Sequence, residues 1–229
     1  MANLKTVAVR ALLFDFDGTL IDTEGPSYRA WKEVFAEHGY ELALERWVER
    51  VGTIGGFDPL VELETLVGAE LDREAVVSSR TRRRDELVAA ELLRAGVRDY
   101  LDEARRVGLR VGIVTSGPQE WVAHHLDRLG ETDGWDCIVC ADYDAELAKP
   151  APTLYLRALR ALDVTADEAV AIEDSPNGVR AAKAAGLYCI AVPNPVTTGL
   201  DLSGADLLVH SLAGLSLSEL LSLAERRDG

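Results

Sequence analysis

The chain has 229 residues, 48% of them hydrophobic, with a formal net charge of −15. That length suits a core of about 150 residues plus a smaller second unit, and that composition excludes broad disorder. The strong negative charge repels phosphate backbones and anionic lipid heads, so nucleic acids and membrane surfaces are poor partners; a phosphate ester could be held only where positive charge is gathered locally.

In chain order, the first element is a β-rich strand over Thr6 to Phe14. Its apolar part is too short to span a membrane and no cleavage pattern follows, so a cytoplasmic protein is expected. A long helical zone runs from about Pro26 to Glu91. Ala30, Val34 and Phe35 have helical spacing there, as do Leu60, Leu63, Leu66 and Val67. The run Gly52-Thr53-Ile54-Gly55-Gly56 breaks this zone as a loop. Beyond Ala95-Gly96 a helix is read at Arg98–Val107, a strand at Arg110–Val114 and a helix from Gly117-Pro118 to Leu129. Next come a strand at Asp136–Cys140, a helix at Thr153–Leu162, a strand at Ala169–Ile172 and a helix from Pro176 to Ala185. A strand at Leu187–Val192 and a last helix from about Leu215 complete the pattern.

Short apolar strands alternating with helices predict βαβ units around a parallel sheet buried on both faces. The expected fold is α/β, with a Rossmann-like core over residues 1–24 and 95–229. The expected insertion is an α-helical cap over residues 25–94. The three cysteines, Cys137, Cys140 and Cys189, are too few and too odd in number for a disulfide framework. The first two flank Ile138 and Val139 and are read as part of a buried strand, not a metal site.

Four segments carry the candidate chemistry, each assigned to the C-terminal end of a predicted strand, where open parallel sheets bind ligands. Asp15-Phe16-Asp17-Gly18-Thr19 offers two carboxylates at a strand end, one suited to nucleophilic attack and the other to acid–base work. Thr115-Ser116-Gly117 offers a hydroxyl and free amides at a helix start, a place for an anion. Lys149 offers a compact cation able to neutralise a phosphoryl group and a carboxylate together. Glu173-Asp174 offers oxygen ligands for a hard cation such as Mg²⁺. Each segment alone has an ordinary structural explanation as a turn, a cap or a solvated charge. All four at strand ends in one order make a single site the economical reading.

FDFDGTLIDT from Phe14 to Thr23, IVTSG from Ile113 to Gly117, Lys149-Pro150 and IEDSPNGVRAAKAAG from Ile172 to Gly186 together resemble the haloacid dehalogenase superfamily. The similarity is to the branch of β-phosphoglucomutase-like proteins and sugar phosphatases with a helical cap, and it covers nearly the whole chain. The resemblance implies a phosphate-monoester hydrolase acting on a small phosphorylated metabolite, with Asp15 as the nucleophile that becomes an aspartyl phosphate. It implies Asp17 as the acid and base, and Thr115 with the Ser116 amide as the phosphoryl cradle together with Gly117. Lys149 is the implied charge neutraliser. Mg²⁺ is implied at Asp15, Asp174 and the Asp17 carbonyl, with Glu173 beside it.

The phosphomutases of this branch carry a histidine where this chain has Ser27, and an arginine in a cap loop that corresponds here to Gly52-Thr53-Ile54-Gly55. Both departures favour a phosphatase over the alternative, a phosphosugar mutase. A non-catalytic phosphoacceptor or binding module is a third reading, disfavoured by Asp17. The loop from Gly52 to Asp58 is the expected region of substrate contact, with Gly52 in it. The Arg80–Arg84 cluster is read as a solvated helix face, and a monomer is the default.

Overall fold

The computed structural model describes residues 8–225. Six parallel strands form one sheet in the order β3-β2-β1-β4-β5-β6. They are β1 Ala11–Phe14, β2 Arg110–Thr115, β3 Cys137–Cys140, β4 Ala169–Glu173, β5 Tyr188–Ala191 and β6 Leu207–Leu208. The helices are α1 Glu24–Glu37, α2 Leu44–Trp47, α3 Pro59–Val67, α4 Arg73–Val88 and α5 Val97–Val107. They continue with α6 Gln119–Leu129, α7 Thr153–Ala161, α8 Pro176–Ala184 and α9 Leu217–Glu225.

Strand β1 lies at the centre of the sheet and is fully buried, and its alternate residues face two different cores. Leu12 and Phe14 join a cluster with Tyr100 and Leu101 of α5, Val122 and Leu126 of α6, and Leu217 and Leu220 of α9. Ala11 and Leu13 join the opposite cluster, with Leu154 and Tyr155 of α7 and Val179 and Ala182 of α8. This is the two-sided parallel sheet expected from the apolar strands.

Helices α1 to α4 interrupt the alternation between β1 and β2 and pack on a third core of Trp31, Val34, Phe35, Trp47, Leu60 and Leu63, joined by Val196. Asp58 caps α3, accepting from the Leu60 amide at 2.9 Å, ahead of Pro59 at the first helical position.

Several boundaries differ from the sequence expectation. The first strand starts at Ala11; Thr6 and Val7 lie outside the described residues. The long helical zone resolves into four helices separated by turns. Leu66, expected on the packed face of α3, is 42% exposed, and the neighbouring Val67 packs on the core instead. The β3 segment, expected to be buried, is an edge strand with Ile138 41% exposed. Its two cysteines are free, with thiols pushed up to about 11, by burial first and by a neighbouring aspartate second. Strand β6 is too short to leave a pattern in the sequence.

The chain returns from the inserted helices through Arg94. Its guanidinium donates to three carbonyls, those of Gly18 at 2.5 Å, Val192 at 3.0 Å and Pro193 at 2.8 Å. It thereby ties the loop after β1 to the loop after β5. Arg94→Met is expected to cost about 2 kcal/mol, because three half-enclosed carbonyls lose a charged donor. A urea unfolding midpoint equal to that of the native chain would sink this assignment.

His125 of α6 is 2% exposed and packs edge-on against Trp121 with ring centroids 4.1 Å apart. Burial, helped by Arg128, lowers its pKa from 6.5 to about 4. The unfolded chain therefore takes up a proton nearer neutrality than the folded one does, and stability should fall as the pH drops from 6.5 toward 4. His125→Phe should flatten that part of the melting temperature against pH curve; parallel curves for the two proteins would refute the assignment.

Candidate active site

The loops that follow the parallel strands meet at one edge of the sheet. Asp15 directly follows β1, Thr115 ends β2, and Glu173 ends β4 with Asp174 next. Lys149 departs from the expected placement: it is not at a strand end but in the long loop between β3 and α7, which folds back to the site. Its ammonium is 1% exposed and lies 2.5 Å from Asp15 Oδ1 and 2.7 Å from Glu173 Oε1.

This ammonium is the central charge of a crowded acidic pocket. Burial alone would push Lys149 down, yet Asp15 and Glu173 outweigh it and hold the pKa above the ordinary lysine value. Glu173 is raised to about 7 by burial, against the pull of Lys149. It also accepts from the Tyr155 hydroxyl at 2.5 Å, while its Oε2 has no hydrogen-bond partner among the described residues. Asp174 is raised well above the carboxylate range by burial, then by Asp15 and Glu173. Its Oδ2 accepts from Asn194 Nδ2 at 2.5 Å.

One carboxylate oxygen from each of Asp15, Glu173 and Asp174 can be chosen so that all lie within 4.8 Å of one another. Three buried acids facing one ammonium, with a carboxylate oxygen unpartnered, fit a bound cation, and an all-oxygen donor set suits a hard one. The side chain of Asp17 stands outside this trio.

Asp17 instead accepts at Oδ1 from Thr23 Oγ1 and from Trp121 Nε1, both at 2.8 Å. Burial and then Asp15 raise its pKa, and the two donors oppose that rise. Thr115 Oγ1 accepts from the Gly117 amide at 2.9 Å and donates to Asp17 Oδ2 at 3.4 Å. Ser116 Oγ accepts from the Lys149 amide at 3.1 Å and donates to the Gly52 carbonyl at 3.4 Å. Ser175 caps α8 through the Gly178 amide at 3.1 Å.

Two glycines hold these parts close. A Cβ on Gly18, whose φ is +85°, would lie 2.1 Å from Asp174 Oδ2, and one on Gly52 would lie 2.3 Å from Ser175 Oγ. The first brings the loop after β1 onto Asp174. The second lets the inserted helices sit directly on the start of α8.

Above the carboxylates opens a cavity of about 290 Å³ lined by Asp15, Asp17, Gly52, Thr115, Ser116 and Gly117 from below. Its roof is formed by Arg50, Arg80 and Arg84. Each guanidinium stacks on a tryptophan: Arg50 on Trp47 at 5.0 Å, Arg80 on Trp31 at 5.1 Å and Arg84 on Trp121 at 4.4 Å. Burial, then Arg84 and Arg50, push Arg80 down to about 10, and its Nε has no hydrogen-bond partner among the described residues. The expected solvated face of the Arg80–Arg84 cluster is thus corrected. Arg82 is exposed and Arg83 pairs with Glu33 at 2.7 Å, but Arg80 and Arg84 turn toward the site because tryptophan faces receive them. An adjoining cavity of about 720 Å³ also reaches Asp17, along Trp121 and His124.

The structure therefore gathers Asp15, Asp17, Gly52, Thr115, Ser116, Gly117, Lys149, Glu173 and Asp174 around one crevice. Sequence reasoning missed Thr23, Trp121, Tyr155, Asn194 and the three arginines. A signal existed for Asn194, which lies in the loop after β5, at the same sheet edge as the others.

No helix among the described residues is long and apolar enough to cross a membrane. Residues 9–186 match the family described as haloacid dehalogenase-like hydrolase. The chain is 41% identical to YhcW of Bacillus subtilis over 213 residues, 93% of this chain and 96% of that protein. It is 33% identical to a phosphorylated carbohydrates phosphatase of Thermotoga maritima over 184 residues, 78% of this chain and 82% of that protein. A crystal structure of a CbbY variant from Rhodobacter sphaeroides in complex with xylulose 1,5-bisphosphate superposes with a TM-score of 0.74 at 35% identity, covering 93% of this chain and 99% of that one. With the parallel sheet and the strand-end acids already in place, the extent of these matches shows that the chain belongs to the haloacid dehalogenase-like hydrolase family.

Proposed function

We propose that this protein is a magnesium-dependent phosphatase that hydrolyses a small phosphate monoester, of the sugar or polyol phosphate class, through an aspartyl phosphate on Asp15. The observation that carries the reading is the buried Lys149 ammonium held between Asp15 and Glu173, with Asp15 lining the same cavity as Asp17 and Thr115. A carboxylate so placed is aimed by a fixed cation, as a nucleophile requires.

In the first step a bond forms between Asp15 and phosphorus, the ester P–O bond breaks, and Asp17 gives a proton to the departing alcohol oxygen. In the second step water attacks the phosphorus, Asp17 takes the water proton, and the Asp15–phosphate bond breaks to release inorganic phosphate. Lys149, Thr115 and the Ser116 amide place positive charge and donors against the phosphoryl oxygens throughout. Mg²⁺ held by Asp15, Asp174 and the Asp17 carbonyl, with Glu173 beside it, supplies further charge neutralisation at the phosphoryl group.

Substrate class is supported from two directions. The relatives named above include one that acts on phosphorylated carbohydrates and one solved with a sugar bisphosphate. The arginine roof provides local attraction for an anionic substrate that the chain as a whole repels. Residues 25–94 serve in this reading as a cap that excludes water from the crevice during the first step.

Asp15→Asn should lower phosphate release by at least about three orders of magnitude, since the attacking oxygen is replaced by an amide. Near-native release by that variant would remove the nucleophile assignment. Chelation with EDTA should abolish turnover of a panel of sugar and polyol monophosphates, and added Mg²⁺ should restore it. Activity indifferent to chelation would refute the metal part of the proposal. Recovery of an isomeric sugar phosphate in place of inorganic phosphate would convert the reading to a mutase.

A further inference from the structure

Asp17 is clamped on one oxygen. Oδ1 accepts from both Thr23 Oγ1 and Trp121 Nε1 at 2.8 Å, while Oδ2 faces Thr115 Oγ1 at 3.4 Å. The two donors are not equivalent. A threonine hydroxyl can rotate and can accept as well as donate; an indole N–H can only donate. An oxygen that receives an obligatory donor is a poor place for a proton of its own. The proton of the acid form therefore belongs on Oδ2, the oxygen on the Thr115 side of the crevice.

Trp121 is itself held from two sides. The His125 ring stands edge-on to it at 4.1 Å, from one turn further along α6, and the Arg84 guanidinium covers its face at 4.4 Å from α4 of the inserted helices. Gly117 keeps the approach open, since a Cβ there would lie 3.1 Å from Asp17 Oδ2 and 3.8 Å from Trp121 Cδ1. A residue 104 positions away in sequence is thus fixed against the carboxylate that the proposed reaction uses as its acid.

We propose that Trp121 is a positioning residue that selects which oxygen of Asp17 carries the proton, and that it thereby sets how well the enzyme expels poor leaving groups. This inference rests on the reading of Asp17 as the general acid. In the first step Oδ2 passes its proton to the departing alkoxide as the ester bond breaks. In the second the same oxygen collects the proton of the attacking water. The indole keeps its own proton in both steps.

Leaving groups separate this role from a merely structural one. p-Nitrophenolate departs without a proton, whereas a sugar or polyol alkoxide needs one, so only the alkyl ester depends on an aimed acid. The experiment measures kcat/KM, which reports the steps through alcohol release, for p-nitrophenyl phosphate and for the fastest alkyl monophosphate of a screen, with Mg²⁺ present. Trp121→Phe keeps the aromatic stack and removes the donor; it should shift the aryl-to-alkyl ratio about tenfold toward the aryl ester. Trp121→Leu and Thr23→Val should move the ratio in the same direction, and Asp17→Asn should move it furthest. An unchanged ratio in both Trp121 variants, with a shifted ratio in Asp17→Asn, would overturn the inference and leave Trp121 a packing residue. An unchanged ratio in Asp17→Asn would instead overturn the acid assignment beneath it.

Discussion

The ammonium of Lys149 sits where water barely reaches, between the carboxylates of Asp15 and Glu173. Taking an ion out of water costs several kcal/mol, and only close partners and hydrogen bonds offset it. The partners here are also buried and also charged, and they outnumber the cation: Asp17 and Asp174 crowd the same volume. The cluster cannot be fully ionised on its own terms. Burial and mutual repulsion push Asp17, Glu173 and Asp174 toward their neutral forms; Lys149 is the cation that works against that drift, helped by the donors Thr23 and Trp121 at Asp17 and Tyr155 at Glu173. An arrangement so short of positive charge is poorly explained as a device for stability, since an apolar filling of the same volume would serve as well or better. It is well explained as a receptacle for a cation and a phosphoryl group, which change the charge balance together.

The fold meets that demand through direction and closeness. Parallel strands deliver their C-terminal ends to one edge, so residues far apart in sequence converge without long excursions. Glycines remove the last obstacles. At Gly178 a Cβ would lie 1.7 Å from Glu173 Oε2, which shows how tightly the start of α8 is folded over the end of β4. Arg94 then binds carbonyls from two of the converging loops, so the return path of the inserted helices doubles as a brace for the edge that carries Asp15.

Much of this was readable in the sequence, and the division between what was and was not has a physical basis. Asp15, Asp17, Thr115, Glu173 and Asp174 lie in short segments whose local pattern, an apolar strand then acids or a hydroxyl then a helix start, is visible within about ten residues. Their gathering follows from the alternation of strands and helices. Trp121 and the arginines have no such local signature. Trp121 reads as one apolar residue of an amphipathic helix, and nothing near it in sequence reveals that its N–H meets Asp17. Arg80 and Arg84 sit in a run rich in charge, where solvation is the ordinary outcome, and only the three-dimensional placement of Trp31 and Trp121 diverts them inward. Leu66 and Ile138 fail in the opposite direction: periodicity marks an apolar position but cannot say which of two adjacent apolar residues meets the core or that a strand lies at an edge.

The tryptophan-backed arginines also resolve an apparent conflict between the charge of the chain and the proposed substrate. A net charge of −15 repels an anion at long range, but salt screens that field over roughly 8–10 Å. Within that distance of the crevice the local charges decide. A guanidinium could be held in place by a carboxylate, at the expense of its field, since the pair is nearly neutral to an approaching phosphate. Stacking on an aromatic face fixes the plane of the guanidinium while leaving its charge and its N–H edges available. Arg50 and Arg80 are held in that way at the mouth of the site, and Arg84, although paired with Asp85 at 2.7 Å, covers the indole that restrains Asp17. Arg50 and Arg80 thus offer attraction to an anion, while Arg84 gives a mechanical link from the inserted helices through Trp121 to Asp17.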